Sequence, residues 1–229
     1  MKILAIIPAR AGSKRVPGKN TKLLAGLPLI AHTIRAAQQS LICDEILVST
    51  DCPNIAETAL KYGASVPWLR PKNLADDLSD VIHAVVDTIR RYEAQNRFFD
   101  SVLLLQPTSP FRSPNSIVKA VELHKKNSNS VVSVHISAVK PAWFKIIDRQ
   151  GNLIPSSQAW DLSDSTLYQL NGSIYLASTQ QILLNNSLYS EPTKALLIED
   201  PREAIDIDTP LDWALAEKLM ELKEEEVVT

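Results

Sequence analysis

The sequence predicts an α/β fold built on a doubly wound, mostly parallel sheet, and three observations carry that reading. Continuous apolar runs at Ile3 to Ile7 and Val102 to Leu105 have the pattern of strands covered on both faces. Segments of helical period lie between such runs, and strands alternating with helices build parallel sheets. The chain has 229 residues, ample for one core, and reads as a single domain over 1–229.

The elements follow in order. The first strand, 3–7, is ended by Pro8. A helix over 28–41 carries Leu29, Ile30, Ile34, Ala37 and Leu41 at helical spacing, with Pro28 suited to its first turn. A strand over 45–50 and a short helix over 53–62 come next, the helix stopped by Gly63. An extended piece over 66–70 precedes a helix over 79–94 that bears Ile82, Val85, Val86 and Ile89. After the strand 102–105, a helix over 114–126 turns Ile117, Val118 and Val121 inward, and a strand covers 131–134. The rhythm then breaks: 137–170 holds Pro141, Pro155, the Gly151-Asn152 turn signal, Trp143 and Trp160, and reads as a β-rich insertion, a lid or a dimerisation arm. The α/β pattern resumes with strands at 174–176, 195–198 and 204–208. A last helix starts at Thr209-Pro210, with Leu211, Ala214, Leu215, Leu219 and Leu222 as its apolar stripe. Ligands of such sheets sit beyond the carboxyl ends of the strands, so the loops after Pro8, Asp51, Arg70, Gln106 and His135 are the ones to inspect.

Composition narrows the partners. Lys plus Arg total 24 and Asp plus Glu 26, a net charge of −2, which argues against holding nucleic acid by phosphate neutralisation. The apolar run at the N-terminus is too short for a signal-peptide core or a membrane span, so a cytoplasmic protein with no membrane partner is expected. Cys43 and Cys52 match no zinc spacing, and His32, His83, His124 and His135 show no metal or triad spacing. Glycine is scarce, 6 in all, yet Gly12, Gly18 and Gly26 fall close together.

Those glycines belong to the most informative segment, the loop after the first strand. Arg10, Lys14, Arg15 and Lys19 supply cations, Ser13 a donor, and Gly12 and Gly18 let the backbone approach a ligand. A polyphosphate needs this combination of near N–H groups and several cations. The spacing is not that of a Walker loop, because Asn20 rather than a hydroxyl follows Lys19, and no closely spaced dinucleotide glycines occur. At the other end of the chain, Asp206 and Asp208 stand two apart, so on a strand they share a face while Ile207 turns inward. Two like charges side by side suit a hard divalent cation shared with phosphate oxygens. The alternative left by spacing alone is that Asp208 merely starts the last helix.

Pro8 to Lys14 followed by Pro17-Gly18-Lys19-Asn20 resembles the signature of the acylneuraminate cytidylyltransferases. Further segments are similar to that family in the same order. They are Ser49-Thr50-Asp51, Leu69-Arg70-Pro71 with Leu74-Ala75-Asp76, Leu105 to Pro110, Asn171 to Tyr175, and Asp206 to Thr209. The resemblance implies a nucleotide-diphosphosugar transferase type of sheet and transfer of CMP from CTP to a nine-carbon 2-keto sugar acid. It implies Mg²⁺ on Asp206 and Asp208, and a homodimer through the 137–170 arm. Arg10, Lys14 and Asp208 are then the catalytic candidates. Arg10, Ala11, Gly12, Ser13, Lys14, Lys19, Asn20, Arg70 and Ser79 are the nucleotide-binding ones. Gln106, Lys145, Gln169 and Asn171 face the sugar acid, although family members usually carry Arg where Gln169 stands. The Lys14 to Pro17 variant leans toward bacterial modified acids. The nearest alternatives are an eight-carbon 3-deoxy-manno-octulosonate cytidylyltransferase, which normally has Pro at the Asn20 position, and a non-catalytic nucleotide-binding protein on the same fold.

Overall fold

The computed structural model describes residues 1–75, 80–127, 129–140, 143–155 and 166–228. Strand β1 (Ile3–Pro8) opens into the basic loop, and a small ribbon of β2 (Leu23–Leu24) and β3 (Leu27–Pro28) returns the chain to helix α1 (Leu29–Gln39). Ala25 and Gly26 turn that ribbon with φ of 48° and 75°, the paired positive values of a two-residue hairpin turn. Then come β4 (Glu45–Ser49), α2 (Pro53–Lys61), α3 (Val81–Glu93), β5 (Ser101–Leu105), α4 (Pro114–Asn127) and β6 (Ser130–Ile136). A hairpin of β7 (Lys145–Ile147) and β8 (Leu153–Pro155) precedes β9 (Tyr168–Ser178), α5 (Thr179–Asn185), β10 (Thr193–Leu197) and α6 (Pro210–Val228).

The central sheet has six strands in the order β10-β6-β9-β5-β1-β4. β9 alone among them runs antiparallel, wedged between β5 and β6, while β1 pairs in parallel with both β4 and β5. From β1 the chain first moves outward to β4 and then crosses to β5 on the other side. That reversal opens a crevice beyond the carboxyl ends of β1 and β5, where the basic loop and Gln106 begin.

Both faces of the sheet are covered, as the continuous apolar runs require. Ile3, Ala5 and Ile7 pack with Ile30, Ile34, Ile55, Ala59, Ile117 and Val121 of α1, α2 and α4. Leu4 and Ile6 point the other way, to Ile82, Val85, Ile89 and Tyr92 of α3 and Ile182 of α5. A third cluster seats the basic loop itself: Val16 is buried with Leu24, Leu29, Ile207, Trp213 and Ala216.

Four expectations change. The extended piece over 66–70 joins no ladder; the Arg70 N–H bonds the Thr50 carbonyl at 2.7 Å, just after the isolated Leu47–Ser65 bridge. Residues 205–208 form no ladder either; the Ile207 N–H bonds the Thr108 carbonyl at 2.8 Å instead. The buried face of α6 is Trp213, Ala216 and partly Met220, whereas Leu211, Leu215 and Leu222 are exposed. Trp213 outweighs the leucines because it fills the gap beneath the basic loop. Helix α5, absent from the periodicity reading, is too short to show a pattern; the Ser178 hydroxyl caps it by accepting from the Gln181 N–H.

Candidate active site

The basic loop is held open from beneath. The Asp51 carboxylate accepts the Ala11 N–H at 3.0 Å, and the buried Asn20 amide donates to the Arg10 carbonyl at 3.0 Å. Gly18, at φ 64°, turns the chain into the short helical turn at Lys19–Thr21. These ties leave Arg10, Gly12, Ser13, Lys14, Arg15, Lys19 and Asn20 lining a cleft of about 350 Å³, together with Pro107, Thr108 and Asp208. A second concavity of about 420 Å³ shares Arg10, Gly12, Ser13 and Lys14 and is also lined by Ala11, Pro17, Gly18 and Ala75. The loop thus presents polar groups on both sides, as an extended triphosphate with its nucleoside requires.

Lys19 joins the two ends of the chain. Its Nζ donates to the Ile207 carbonyl at 2.6 Å and lies 3.2 Å from Asp208 Oδ1, and Arg15 Nη2 sits 3.2 Å from the other oxygen of Asp208. The cap of α6 is made without Asp208. The Asp212 carboxylate accepts the Asp208 and Thr209 N–H groups and the Thr209 hydroxyl, and the Asp212 N–H returns to the Thr209 hydroxyl, a reciprocal capping box. Those donors, led by the Thr209 hydroxyl, hold the Asp212 carboxyl below its ordinary range. Asp208 therefore faces the cleft rather than starting the helix.

Asp206 keeps a solvent-exposed edge but is crowded by protein on its inner side. Desolvation pushes its carboxyl up; the nearby Thr108 hydroxyl opposes the rise without settling into a hydrogen bond, and the Asp208 charge adds to it. Asp206 and Asp208 are thus close enough to repel, on an irregular segment that the Ile207 N–H pins to the Thr108 carbonyl at 2.8 Å. A cation between them relieves that repulsion, and the donor set suits Mg²⁺. Among the described residues no group of three His, Cys, Asp or Glu side chains is placed to hold a metal, so the remaining ligands would be phosphate and water oxygens.

Beyond β5 lie the other polar residues. The Gln106 side chain packs against the β9 backbone: a Cβ added at Gly172 (φ 72°) would stand 3.2 Å from Gln106 Oε1. Asn171 is 5% exposed; its Oδ1 accepts from the Ser133 hydroxyl at 2.5 Å and the Ser173 N–H at 3.1 Å, while its Nδ2 is buried without a partner. Asn171-Gly172 lies inside β9, not before a strand. Gln169 is exposed and pairs across the ladder with His135.

The structure does not bring every candidate together. Arg70 is buried behind the crevice, where its guanidinium donates to the Ser49 hydroxyl at 3.1 Å and to the Ser49 carbonyl. Lys145 is exposed on the hairpin, and among the described residues no bond joins it to the crevice. Ser79 lies outside the described residues, as does Trp160. Sequence reasoning passed over Thr108, which lines the cleft with an unpartnered buried hydroxyl, and Arg15, counted as a loop cation but given no partner. His124 is structural, bonded through its two ring nitrogens to Ser101 and Asn129, and His32 meets the Leu24 carbonyl.

A basic crevice at the switch point of a doubly wound sheet is suited to a nucleotide's phosphates, the site a nucleotidyltransferase needs. The cytidylyltransferase family profile matches residues 4–228, and the chain belongs to that family, in its acylneuraminate branch, as its motifs implied. It is similar, at 60% identity over 100% of both chains, to CMP-N,N'-diacetyllegionaminic acid synthase of Legionella pneumophila. It is 33% identical to the pseudaminic acid cytidylyltransferase of Campylobacter jejuni (strain 81-176), over 98% of this chain and 99% of that one. Among solved structures, a CMP:2-keto-3-deoxy-manno-octonic acid synthetase complexed with CTP shares the fold, with a TM-score of 0.73 at 20% identity, covering 97% of this chain and 100% of the other.

Replacing Lys19 by Met removes the link between loop and carboxylates at little cost to the core. CTP affinity, read by fluorescence titration, is expected to fall at least about tenfold. An unchanged affinity contradicts the role given to Lys19.

Proposed function

We propose that the protein transfers CMP from CTP to the anomeric hydroxyl of a nonulosonic acid, with N,N'-diacetyllegionaminic acid as the favoured acceptor. The full-length 60% identity to the Legionella synthase carries this reading. Arg10, Lys14 and Lys19 neutralise the triphosphate, the N–H groups of Ala11, Gly12 and Ser13 approach it, and Asn20 shapes the loop that seats the nucleoside. Arg70 supports the loop from behind through Ser49, and Ser79 is assigned to the same nucleotide side. Asp206 and Asp208 would hold Mg²⁺. When bound, that ion supplies charge neutralisation at the phosphates and acidifies the attacking hydroxyl.

The acceptor hydroxyl forms its bond to the α-phosphorus in line with the α–β bridging oxygen. That P–O bond breaks, pyrophosphate departs, and the hydroxyl proton passes to solvent. Such chemistry rests on positioning and charge stabilisation, which the loop provides before substrate arrives. Gln106 and Asn171 hold the acid, Asn171 through the buried amide that no protein group satisfies. Gln169 stands beside them with a neutral amide in place of a guanidinium. We assign the reaction to the cytoplasm, a reading the supply of CTP supports; among the described residues no helix is long and apolar enough to cross a membrane.

We assign the hairpin to a second copy of the chain. Trp143, Ile147 and Leu153 are 66%, 70% and 71% exposed, and Ile146 and Ile154 are exposed on the opposite face. A two-stranded hairpin with apolar residues on both faces is not stable alone in water. Lys145 shares the Ile147 face, so docking that face carries Lys145 toward the partner's sugar-acid side.

Pyrophosphate release with CTP, Mg²⁺ and a panel of acids tests the activity. Turnover is expected with the legionaminic-type acid and not with the eight-carbon acid. CTP binding without turnover on any nine-carbon acid overturns the reading. Asp208→Asn is expected to lower turnover roughly a hundredfold with an unchanged melting temperature. Ile147→Asp is expected to convert a dimer to a monomer by light scattering; a monomeric parent protein contradicts the assignment of the hairpin.

A further inference from the structure

One fully enclosed cation takes no part in phosphate binding. Arg112, 3% exposed, spreads its guanidinium over three elements. Nε donates to the Ser173 carbonyl at 3.0 Å and its hydroxyl at 3.1 Å, Nη1 to the Thr33 hydroxyl of α1 at 3.1 Å, and Nη2 to the Gln106 carbonyl at 2.6 Å. The nearest acid, Glu203, spends its oxygens on the Ser113 N–H and the Ser116 hydroxyl, both at 3.1 Å. Among the described residues Arg112 makes no ion pair. A buried charge without a direct counter-ion is costly, so the chain retains it for something a neutral residue does not offer. That something is a rigid planar fork of five donors, which reaches four acceptors on three residues.

The elements it joins are the two halves of the sugar-acid side. Between the pairs Val132–Tyr175 and Val134–Leu170, the single residue Ser133 of β6 faces residues 171 to 174 of β9, so β9 bulges outward there. Ser133 holds one side of that bulge, accepting the Ile174 N–H at 2.8 Å and donating to Asn171 Oδ1. Arg112 holds the other side at Ser173 and ties it to the residue that carries the Gln106 side chain. The gap is tight: a Cβ added at Gly172 would stand 3.2 Å from Gln106 Oε1, closer than ordinary van der Waals contact. A shift of Arg112 therefore moves Gln106 against Asn171.

We propose that Arg112 is the positioning residue of the sugar-acid half of the site, setting the separation of Gln106 and Asn171 and so governing use of the acid but not of CTP. This rests on the assignment of Gln106 and Asn171 to the acid. Misplacement of a binding group by a fraction of an ångström is enough to impair turnover strongly.

The test varies CTP and the best acceptor acid separately, in the intact enzyme and in Arg112→Lys, Thr33→Val, Gln106→Ala and Arg112→Lys with Gln106→Ala. Arg112→Lys is expected to raise KM for the acid about tenfold or more, with KM for CTP within about twofold. Thr33→Val removes one acceptor of the fork while keeping side-chain shape, and shifts the acid KM in the same direction by a few-fold; it carries the test if Arg112→Lys does not fold. In the Gln106→Ala background, Arg112→Lys adds less than about threefold, because the two act through one contact. Equal changes in both Michaelis constants, or effects that multiply in the double variant, reduce Arg112 to a general structural role and overturn the proposal. A Gln106→Ala enzyme with an unchanged acid KM removes the underlying assignment instead. That outcome is distinct from an impaired Gln106→Ala beside an unimpaired Arg112→Lys or Thr33→Val, which sinks the proposal alone.

Discussion

The contact on which the site depends is the reach of Lys19 from the first loop to Ile207 and Asp208 near the far end of the chain. Lys19 is half-buried, and its ammonium meets a carbonyl and a carboxylate in one small space. Such a charge-assisted pairing is stronger than a neutral hydrogen bond. It makes the loop and the carboxylate segment one wall, closed beneath by Val16, Ile207 and Trp213. Arg15 and the packing of Val16 on Ile207 join the same two segments, and Lys19 is the contact that meets both a carbonyl and a carboxylate of the acidic one.

That arrangement also accounts for the near-zero net charge. The cations of the loop are not spread over the surface; Arg15 and Lys19 already face Asp208. In the proposed reading a triphosphate would compete with Asp208 for these cations, and a metal would take over the carboxylate. The loop stays in place because Asp51, Asn20 and the Thr209–Asp212 cap fix its neighbours by bonds that do not involve the ligand.

Much of this was legible in the residues. The apolar runs and their helical partners define the doubly wound sheet, and Gly12, Gly18 and the clustered cations mark the loop. What was not legible depends on contacts distant in sequence. Nothing in the pattern Leu211, Leu215, Leu222 announces that Trp213 is the residue wanted under the loop. The sequence makes 204–208 look like a strand, yet the segment joins no ladder, and the Ile207 N–H goes to the Thr108 carbonyl. Arg112 carries no signal in the sequence; its burial follows from partners on α1, β9 and the end of β5. Lys145 was named for the sugar acid through the family motif alone; its place on a hairpin strand, without a bond to the crevice among the described residues, comes from the fold.

The measurement that bears most directly on the account is calorimetric titration of CTP with and without Mg²⁺, in the intact protein and in an Asp206→Asn, Asp208→Asn variant. If the carboxylate pair and the basic loop form one site for a metal–triphosphate, Mg²⁺ tightens CTP binding to the intact protein. The variant then binds CTP with an affinity that Mg²⁺ no longer changes. Equal enhancement by Mg²⁺ in both proteins would contradict the account and place the metal away from Asp206 and Asp208.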